Sequence, residues 1–170
     1  MFESTLELHL LRPVDWRVLK AARLRALQDS PHAFISRYDH ELRLSEFEWR
    51  RKFEAVSWMV AQEGEDVVGL AGSVGDPVTS WIRHVESIWV APTHRRRGVF
   101  RALLYALAET ERRMGVTDLL IWVLEDNQDA QRAYETVGFE PTGERQFLPA
   151  LGRFERRFRL GIRHLPGLTG

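Results

Sequence analysis

The first half of the chain changes hydrophobic period several times, and each change predicts a new element. Apolar residues alternate loosely from Leu6 to Arg12, as is typical of a strand. From Trp16 to Leu27 they recur at helical spacing, so we expect a helix there. Residues 31–44 are less regular. Ser45 and Glu48 then have the spacing of a capping box, which predicts the start of a second helix.

Three strands are predicted in the middle of the chain. Trp58 to Gln62 and Val67 to Val74 are apolar runs on either side of a short polar tract, which favours a hairpin. Ile82 to Val90 predicts a longer strand that stops at Ala91-Pro92. Alternation places its residues on two faces, with Ile82, His84, Glu86, Ile88 and Val90 on one and Val85, Ser87 and Trp89 on the other.

The second half predicts two helices and three strands. The pattern indicates a helix from Val99 to Met114, with Leu103, Leu104, Leu107 and Met114 on its apolar stripe and Gly115 as the residue that ends it. The run Leu119 to Leu124 is apolar throughout, as in a strand covered on both faces. A short helix capped by Asp126 or Asn127 follows and ends at Gly138. Further strands begin at Phe139 and at Phe154, and the tail from His164 looks frayed.

This order of elements predicts an α/β (α+β) fold, with a mixed central sheet of about seven strands flanked by about four helices. At 170 residues the chain fits a single domain over 1–170, with a core over about 6–162.

Composition removes several classes of function. Twenty-four basic and 24 acidic side chains cancel, so no global field attracts nucleic acid or an anionic membrane. The absence of cysteine excludes disulfides and an acyl-enzyme on sulfur. The first residues do not resemble a signal peptide and no long apolar stretch follows, so we expect a cytoplasmic protein.

The most informative segment is the junction between the strand ending at Val90 and the helix starting at Val99. Arg95, Arg96, Arg97 and Gly98 form the turn between them. Backbone N–H groups of such a turn and the positive end of the helix dipole favour a pyrophosphate, and guanidinium groups match phosphate oxygens. The chain has neither a Walker loop nor a Gly-x-Gly-x-x-Gly fingerprint, which argues against nucleoside triphosphates and NAD. The alternative interpretation is an ordinary solvated arginine turn.

Two sequence motifs in the second half of the chain resemble signatures of a known protein family. The run V-x-P-x-x-R-x-x-G-x-F-R-x-L-L, from Val90 to Leu104, resembles the acetyl-CoA signature Gln/Arg-x-x-Gly-x-Gly/Ala of the GNAT superfamily of N-acetyltransferases. The second family signature, N-x-x-A-x-x-x-Y-x-x-x-G-F, is matched from Asn127 to Phe139. Phe100 departs from the first signature, because the family has Gly or Ala at that position.

The resemblance implies acetyl-CoA as cosubstrate, with its thioester between the strands that end at Val90 and Leu124. The implied cofactor-binding residues are Trp89, Val90, Arg95, Arg96, Arg97, Gly98, Val99, Phe100, Arg101 and Asn127. In the first helical turn, Phe100 either turns away from the diphosphate, obstructs it, or faces the core beside Leu104 and Leu107.

Two catalytic residues are proposed on the same grounds. Tyr134 stands where many family members have a catalytic tyrosine that protonates the leaving thiolate, although a tyrosine on an apolar stripe is often core. Glu86 is the candidate base for the amine, because a charged residue in a buried strand is costly unless it is paired or functional. The alternative role of Glu86 is structural, as the partner of Arg83 or of another arginine in a salt bridge.

The six histidines have no metal-ligand spacing, so we expect no metal. His94 is either a donor to the cofactor or a solvated loop residue. We expect the binding site of the acetyl-accepting amine to be formed by Gln28–Arg51 and by the hairpin near Arg145–Arg153. Five acidic side chains in the first of these segments either form an acidic entrance (mouth) that attracts a cationic amine or lie on the solvent-exposed face of a helix. These are Asp29, Asp39, Glu41, Glu46 and Glu48. Three aromatic side chains of the same segment either line the amine pocket or belong to the hydrophobic core. These are Phe34, Tyr38 and Trp49.

Three functions remain in competition. The first is transfer of an acetyl group from acetyl-CoA to a primary amine of a small molecule or a protein, by direct attack in a ternary complex. The second is a catalytically weak or inactive GNAT-like module that binds acyl-CoA, which Phe100 supports. The third is a nucleic-acid binder that uses Arg95–Arg97, against which the neutral net charge weighs. Family resemblance also allows a homodimer.

Overall fold

The computed structural model of the chain describes residues 5–165, so part of the tail whose fraying was predicted lies outside the described residues. The described strands are β1 (Leu6–Leu10), β2 (Val56–Glu63), β3 (Asp66–Gly75), β4 (Ile82–Val90), β5 (Asp118–Leu124), β6 (Glu140–Leu148) and β7 (Arg153–Gly161). The described α-helices are α1 (Trp16–Asp29), α2 (Tyr38–Leu42), α3 (Glu46–Ala55), α4 (Val99–Arg113) and α5 (Gln128–Val137).

The strands form one seven-stranded sheet in the order β1-β2-β3-β4-β5-β7-β6. The β4–β5 pair is parallel, whereas the β1–β2, β2–β3, β5–β7 and β6–β7 pairs are antiparallel. The predicted mixed sheet and α/β class are therefore confirmed. The helix count differs, because the five-residue helix α2 falls in the stretch that showed no period.

The first compact unit contains the described residues up to Val74 together with Ser87–Leu107. Its core side chains are fully or almost fully buried, and they include Leu19, Leu27, Trp49, Leu70, Leu103 and Leu104. A Cβ atom added at Gly69 of β3 would lie 2.7 Å from Cδ1 of Leu103 and 3.2 Å from Cγ1 of Val99. Glycine at this position therefore lets the start of α4 pack directly on the sheet.

The second unit contains Gly75–Glu86 and the described residues from Ala108 onward. Phe139 and Phe158 are 2% and 0% exposed, and Leu119 of β5 is buried as its apolar run predicts. Met114 was predicted on the apolar stripe of α4, but it is 76% exposed because the helix ends one residue earlier, at Arg113. Gly115 follows with φ of 89°, the left-handed conformation predicted for it.

The turn before β4 contains Asp76, whose contacts make the stability of the fold depend on pH. The Asp76 carboxylate accepts hydrogen bonds from the backbone N–H groups of Val78 (2.9 Å) and Thr79 (3.0 Å), and it lies 2.8 Å from Nε2 of His84. The His84 contact and these N–H groups lower the pKa of Asp76 from 3.8 to about 2. Because the pKa is lower in the folded state, Asp76 stabilises the fold above about pH 4 and loses that effect as the pH falls toward 2.

We therefore expect Asp76→Asn to lower the melting temperature at pH 7 and to match the wild type near pH 2. Thermal melts of both proteins across this range test the prediction. Asp39→Asn is the matched control, because the Asp39 side chain is 62% exposed and should change little at either pH. A constant difference between Asp76→Asn and wild type at all pH values would contradict the assignment.

Candidate active site

The junction between β4 and α4 is a compact turn followed directly by the helix. Pro92–His94 form one 3-10 turn after β4. Arg96 and Gly98 then adopt left-handed backbone conformations, with φ of 60° and 82°. The N–H of Ala102 donates to the carbonyl of Gly98 at 3.0 Å, so Gly98 accepts the first hydrogen bond of α4.

Gly98 leaves open space beside the first turn of α4. Its backbone is exposed, and a Cβ atom built on it would meet no heavy atom within 4 Å. The left-handed φ disfavours any other residue, while the open space in front of Gly98 lies at the N-terminus of a 15-residue helix. The residues present therefore fit a phosphate group beside Gly98.

Two of the three turn arginines already have partners within the first unit. Nε of Arg95 donates to the carbonyl of Val90 at 3.0 Å, and Nη2 of Arg95 lies 2.5 Å from Oδ2 of Asp29. Nη2 of Arg97 lies 3.5 Å from Oε1 of Glu63. The side chain of Arg95 therefore links the end of α1 to the end of β4.

Asp29 joins the turn to the buried indole of Trp89. Nε1 of Trp89 donates to Oδ2 of Asp29 at 3.0 Å, and Trp89 is 4% exposed. Burial by itself raises the pKa of Asp29, but hydrogen bonds from Trp89 and Ser30 and the charge of Arg95 outweigh it and lower the pKa. Asp29 is therefore an ionised acceptor for the turn and for β4, a role that differs from both the acidic mouth and the wet helix face considered from the sequence.

His94 is held against β2. Its Nε2 lies 2.7 Å from Oε2 of Glu63 and its Nδ1 lies 2.8 Å from Oγ1 of Thr93. The His94 side chain is 17% exposed, so the interpretation as a solvated loop residue is wrong. Glu63 thus contacts both His94 and Arg97.

The first three residues of α4 differ in burial. Val99 is 3% exposed and packs in the core. Phe100 is half-buried, in contrast to Leu104 and Leu107, which are fully buried. The guanidinium of Arg101 is exposed and lies 5.0 Å from the centre of the Tyr105 ring.

The second motif is explained locally by the structure of α5. Oδ1 of Asn127 accepts the N–H of Ala130 at 3.1 Å and caps the helix, and Gly138 ends it with φ of 106°. Tyr134 is 7% exposed, and its ring meets Phe139 edge to face at 5.4 Å. Burial raises the pKa of Tyr134, so its phenol stays protonated at neutral pH.

Glu86 does not lie in a buried part of β4. It is exposed, so the prediction of a costly buried charge is wrong. The alternation predicted for the strand is kept, because Val85 and Trp89 are buried whereas Glu86 and Ile88 are not, and the left-handed φ of 56° at Ser87 is a local irregularity. Arg83, the proposed salt-bridge partner, has Nε 3.4 Å from Oε2 of Glu111.

The predicted acceptor-side residues separate into surface and core. Glu41 is 1% exposed and paired with Arg23, so it belongs neither to an acidic mouth nor to a wet helix face. Trp49 is fully buried, which makes it a core residue. Asp39, Glu46 and Glu48 are exposed, as both interpretations of these acids require. In the hairpin from β6 to β7, Arg145 lies 2.5 Å from Glu125.

Neither a cluster of metal ligands nor a helix of membrane-spanning character occurs in the described part of the chain. Among residues 5–165, no three His, Asp or Glu side chains are grouped as metal ligands would be. Within the same residues, no helix combines the length and hydropathy of a membrane span.

The seven-stranded mixed sheet with helices defines an α/β protein. The sequence model of the Acetyltransferase (GNAT) family matches residues 21–139. The chain belongs to this family, whose members are acyltransferases that use acetyl-CoA.

Individual relatives agree with the family. N-acetyltransferase 8F1 of Rattus norvegicus is 30% identical over 92 residues, which is 52% of this chain and 42% of the relative, so the chain spans less than half of that protein. The yncA protein of Salmonella typhimurium, solved with its cofactor acetyl-CoA, is 18% identical over 92% of this chain and 94% of its own, with a TM-score of 0.71. Spermidine N-acetyltransferase of Vibrio cholerae, in complex with CoA and spermine, is 18% identical over 93% and 96%, with a TM-score of 0.70.

Proposed function

We propose that this protein is an acetyl-CoA-dependent N-acetyltransferase that acts on a primary amine by direct attack in a ternary complex. The observation that carries the proposal is the turn at Gly98, where an exposed left-handed glycine with open space in front of it begins a long helix. Family membership supplies the donor, because acetyl-CoA serves the family in general. We propose further that residues 1–170 act as one domain in the cytoplasm.

The diphosphate of acetyl-CoA is held by the turn in this proposal. The backbone N–H groups of Gly98, Val99 and Arg101 lie at the positive end of α4, where an anion is favoured. Arg96 and Arg97 add charge at every working pH. Backbone groups of Trp89 and Val90 take the pantetheine arm, and Asn127 contributes by fixing the start of α5.

Arg95 has a different role, because its guanidinium already contacts Asp29 and the carbonyl of Val90. We propose that it fixes the end of β4 relative to the turn and does not contact the diphosphate.

The chain supplies an acid and a base for acetyl transfer. When bound, acetyl-CoA supplies an activated acyl group on a thiol leaving group. The Tyr134 phenol, kept protonated by burial, donates a hydrogen bond or a proton to the departing sulfur, and a proton that it gives up is replaced by the one that the amine nitrogen loses as the amide forms. The exposed Glu86 carboxylate, directly or through water, removes a proton from the ammonium form of the amine.

A second candidate is an acyl-CoA-binding module without turnover. Phe100 favours it, because a half-buried aromatic ring stands where the family signature has Gly or Ala. This candidate shares the cofactor site with the first and differs only in chemistry.

Acetyl-CoA consumption with a panel of amines separates the two candidates. The panel contains spermine and spermidine, a small aliphatic monoamine, a lysine-containing peptide and a peptide with a free N-terminus. We expect turnover with at least one amine, and a fall of about 100-fold in Glu86→Gln, as is common for loss of a general base. Binding of acetyl-CoA without turnover on any amine would favour the module.

A further inference from the structure

A cavity of about 460 Å³ opens in the second unit and shares no residue with the turn between β4 and α4. Because β5 pairs in parallel with β4 and antiparallel with β7, the start of β4, the start of β5 and the end of β7 reach one edge of the sheet. The residues that line the cavity there include Trp81, Thr117, Asp118, Arg159, Arg163 and His164. Its size is that of a small-molecule site, for which roughly 300–1,000 Å³ is typical.

The charges that line the cavity leave an excess of positive charge. Asp118 is 8% exposed, and its Oδ1 accepts Nε of Arg159 at 2.8 Å while its Oδ2 accepts Oγ1 of Thr117 at 2.6 Å. Burial raises the pKa of Asp118, but these two bonds and the charges of Arg159 and Arg163 outweigh it, so the carboxylate is ionised at neutral pH. Asp118 therefore balances Arg159, and Arg163 adds a further positive charge to the lining.

Trp81 provides a flat apolar wall beside these cations. The residue is 53% exposed, so its ring is accessible to a ligand. Its backbone carbonyl accepts N–H groups from Thr117 at 2.8 Å and from Asp118 at 3.3 Å, which fixes the main chain that carries the ring. A ring on a fixed backbone can stack on a ligand at a small cost in conformational entropy.

We propose that this cavity binds a planar aromatic anion. The ring of the ligand stacks on Trp81, and its carboxylate or phosphate group pairs with Arg163 and with the Nη groups of Arg159. A neutral aromatic molecule lacks the ion pair and an inorganic anion lacks the stacking partner, so both should bind more weakly.

Calorimetric titration with small probes tests the site. Indole-3-acetate and phenyl phosphate are the two anionic probes and distinguish a carboxylate from a phosphate ligand. Indole-3-acetamide and inorganic phosphate are the neutral and the non-aromatic controls. We expect one anionic probe to bind at least about tenfold more tightly than both controls. Absence of binding by both anionic probes, or equal binding of the neutral amide, would overturn the proposal.

Variants then locate the probe. Gly161 also lines the cavity, and a Cβ atom on it would lie 3.9 Å from Oδ1 of Asp118, an ordinary contact at a backbone φ outside the left-handed region. Gly161→Leu should therefore fill the cavity and abolish binding, with thermal melts to verify folding. Trp81→Ala and Arg163→Gln should each weaken binding at least about tenfold.

Two further variants serve as controls. Arg113→Gln removes a cation that is 74% exposed and does not line the cavity, so probe binding should not change. Gly98→Asp should also leave it unchanged. If Gly98→Asp abolished probe binding and Gly161→Leu did not, the anion would occupy the turn and the proposal would be wrong. Since no acetyl-CoA is involved, this outcome is independent of catalytic activity.

Discussion

Replacing Tyr134 with Phe should reduce turnover about 100-fold and leave the affinity for acetyl-CoA nearly unchanged. The substitution keeps the ring that packs edge to face on Phe139 at 5.4 Å and removes only the hydroxyl group. Burial raises the pKa of this phenol, so the hydroxyl keeps its hydrogen over the whole working range and is available as a hydrogen-bond donor to the leaving thiolate. Steady-state kcat and the dissociation constant of acetyl-CoA test the two halves of the prediction.

Tyr105→Phe provides the matched control for Tyr134→Phe. Tyr105 lies on α4, and its ring packs under the guanidinium of Arg101. Loss of its hydroxyl group should leave kcat within about twofold of wild type. Equal turnover in the wild type and Tyr134→Phe would make Tyr134 a core residue and remove the proposed acid.

Replacing Arg23 with Met should lower the free energy of unfolding by about 3 kcal/mol, the range for a buried charge that loses its partner. Arg23 and Glu41 are paired with side chains 5% and 1% exposed, and Nη1 of Arg23 donates to Oγ of Ser87 at 2.8 Å. Burial raises the pKa of Glu41, but the hydrogen bonds and charge of Arg23 and the charge of Lys52 outweigh it. Without Arg23, Lys52 at 3.8 Å and a hydrogen bond from Ser36 remain, and they offset the desolvation of Glu41 only in part.

Arg37→Met is the control for this loss. It breaks a pair with Asp39 whose side chains are 79% and 62% exposed, and such pairs contribute less than about 1 kcal/mol. Urea unfolding of both variants at pH 7 gives the comparison. Similar losses in the two variants would mean that the Arg23–Glu41 pair contributes no more than a surface contact.

Local patterns in the sequence were sufficient to predict most of the fold. The capping box at Ser45 and Glu48 forms as predicted, with the N–H of Ser45 donating to Oε2 of Glu48 at 2.8 Å. Gly115 and Gly138 end their helices in left-handed conformations. In contrast, α2 has five residues and follows an irregular stretch, so it is too short to show a helical period.

The site was less accessible to sequence reasoning, because its contacts join distant residues. The Asp29 carboxylate accepts hydrogen bonds from Trp89 and Arg95, which lie 60 and 66 positions further along the chain. No local sequence pattern connects these residues. For Glu86, the local prediction itself was wrong. Its place in a central strand suggested burial, but Glu86 alternates with the buried Val85 and lies on the less buried face of β4.

Calorimetric titration of acetyl-CoA into wild type and Gly98→Asp is the most direct test of the cofactor site. Gly143→Asp is the matched control, because Gly143 has φ of 88°, also has no heavy atom within 4 Å of a built Cβ, and lies in β6 outside the turn. The account predicts micromolar binding by wild type and Gly143→Asp, and binding at least about tenfold weaker in Gly98→Asp. Equal affinity in all three proteins would contradict the assignment of the diphosphate to this turn.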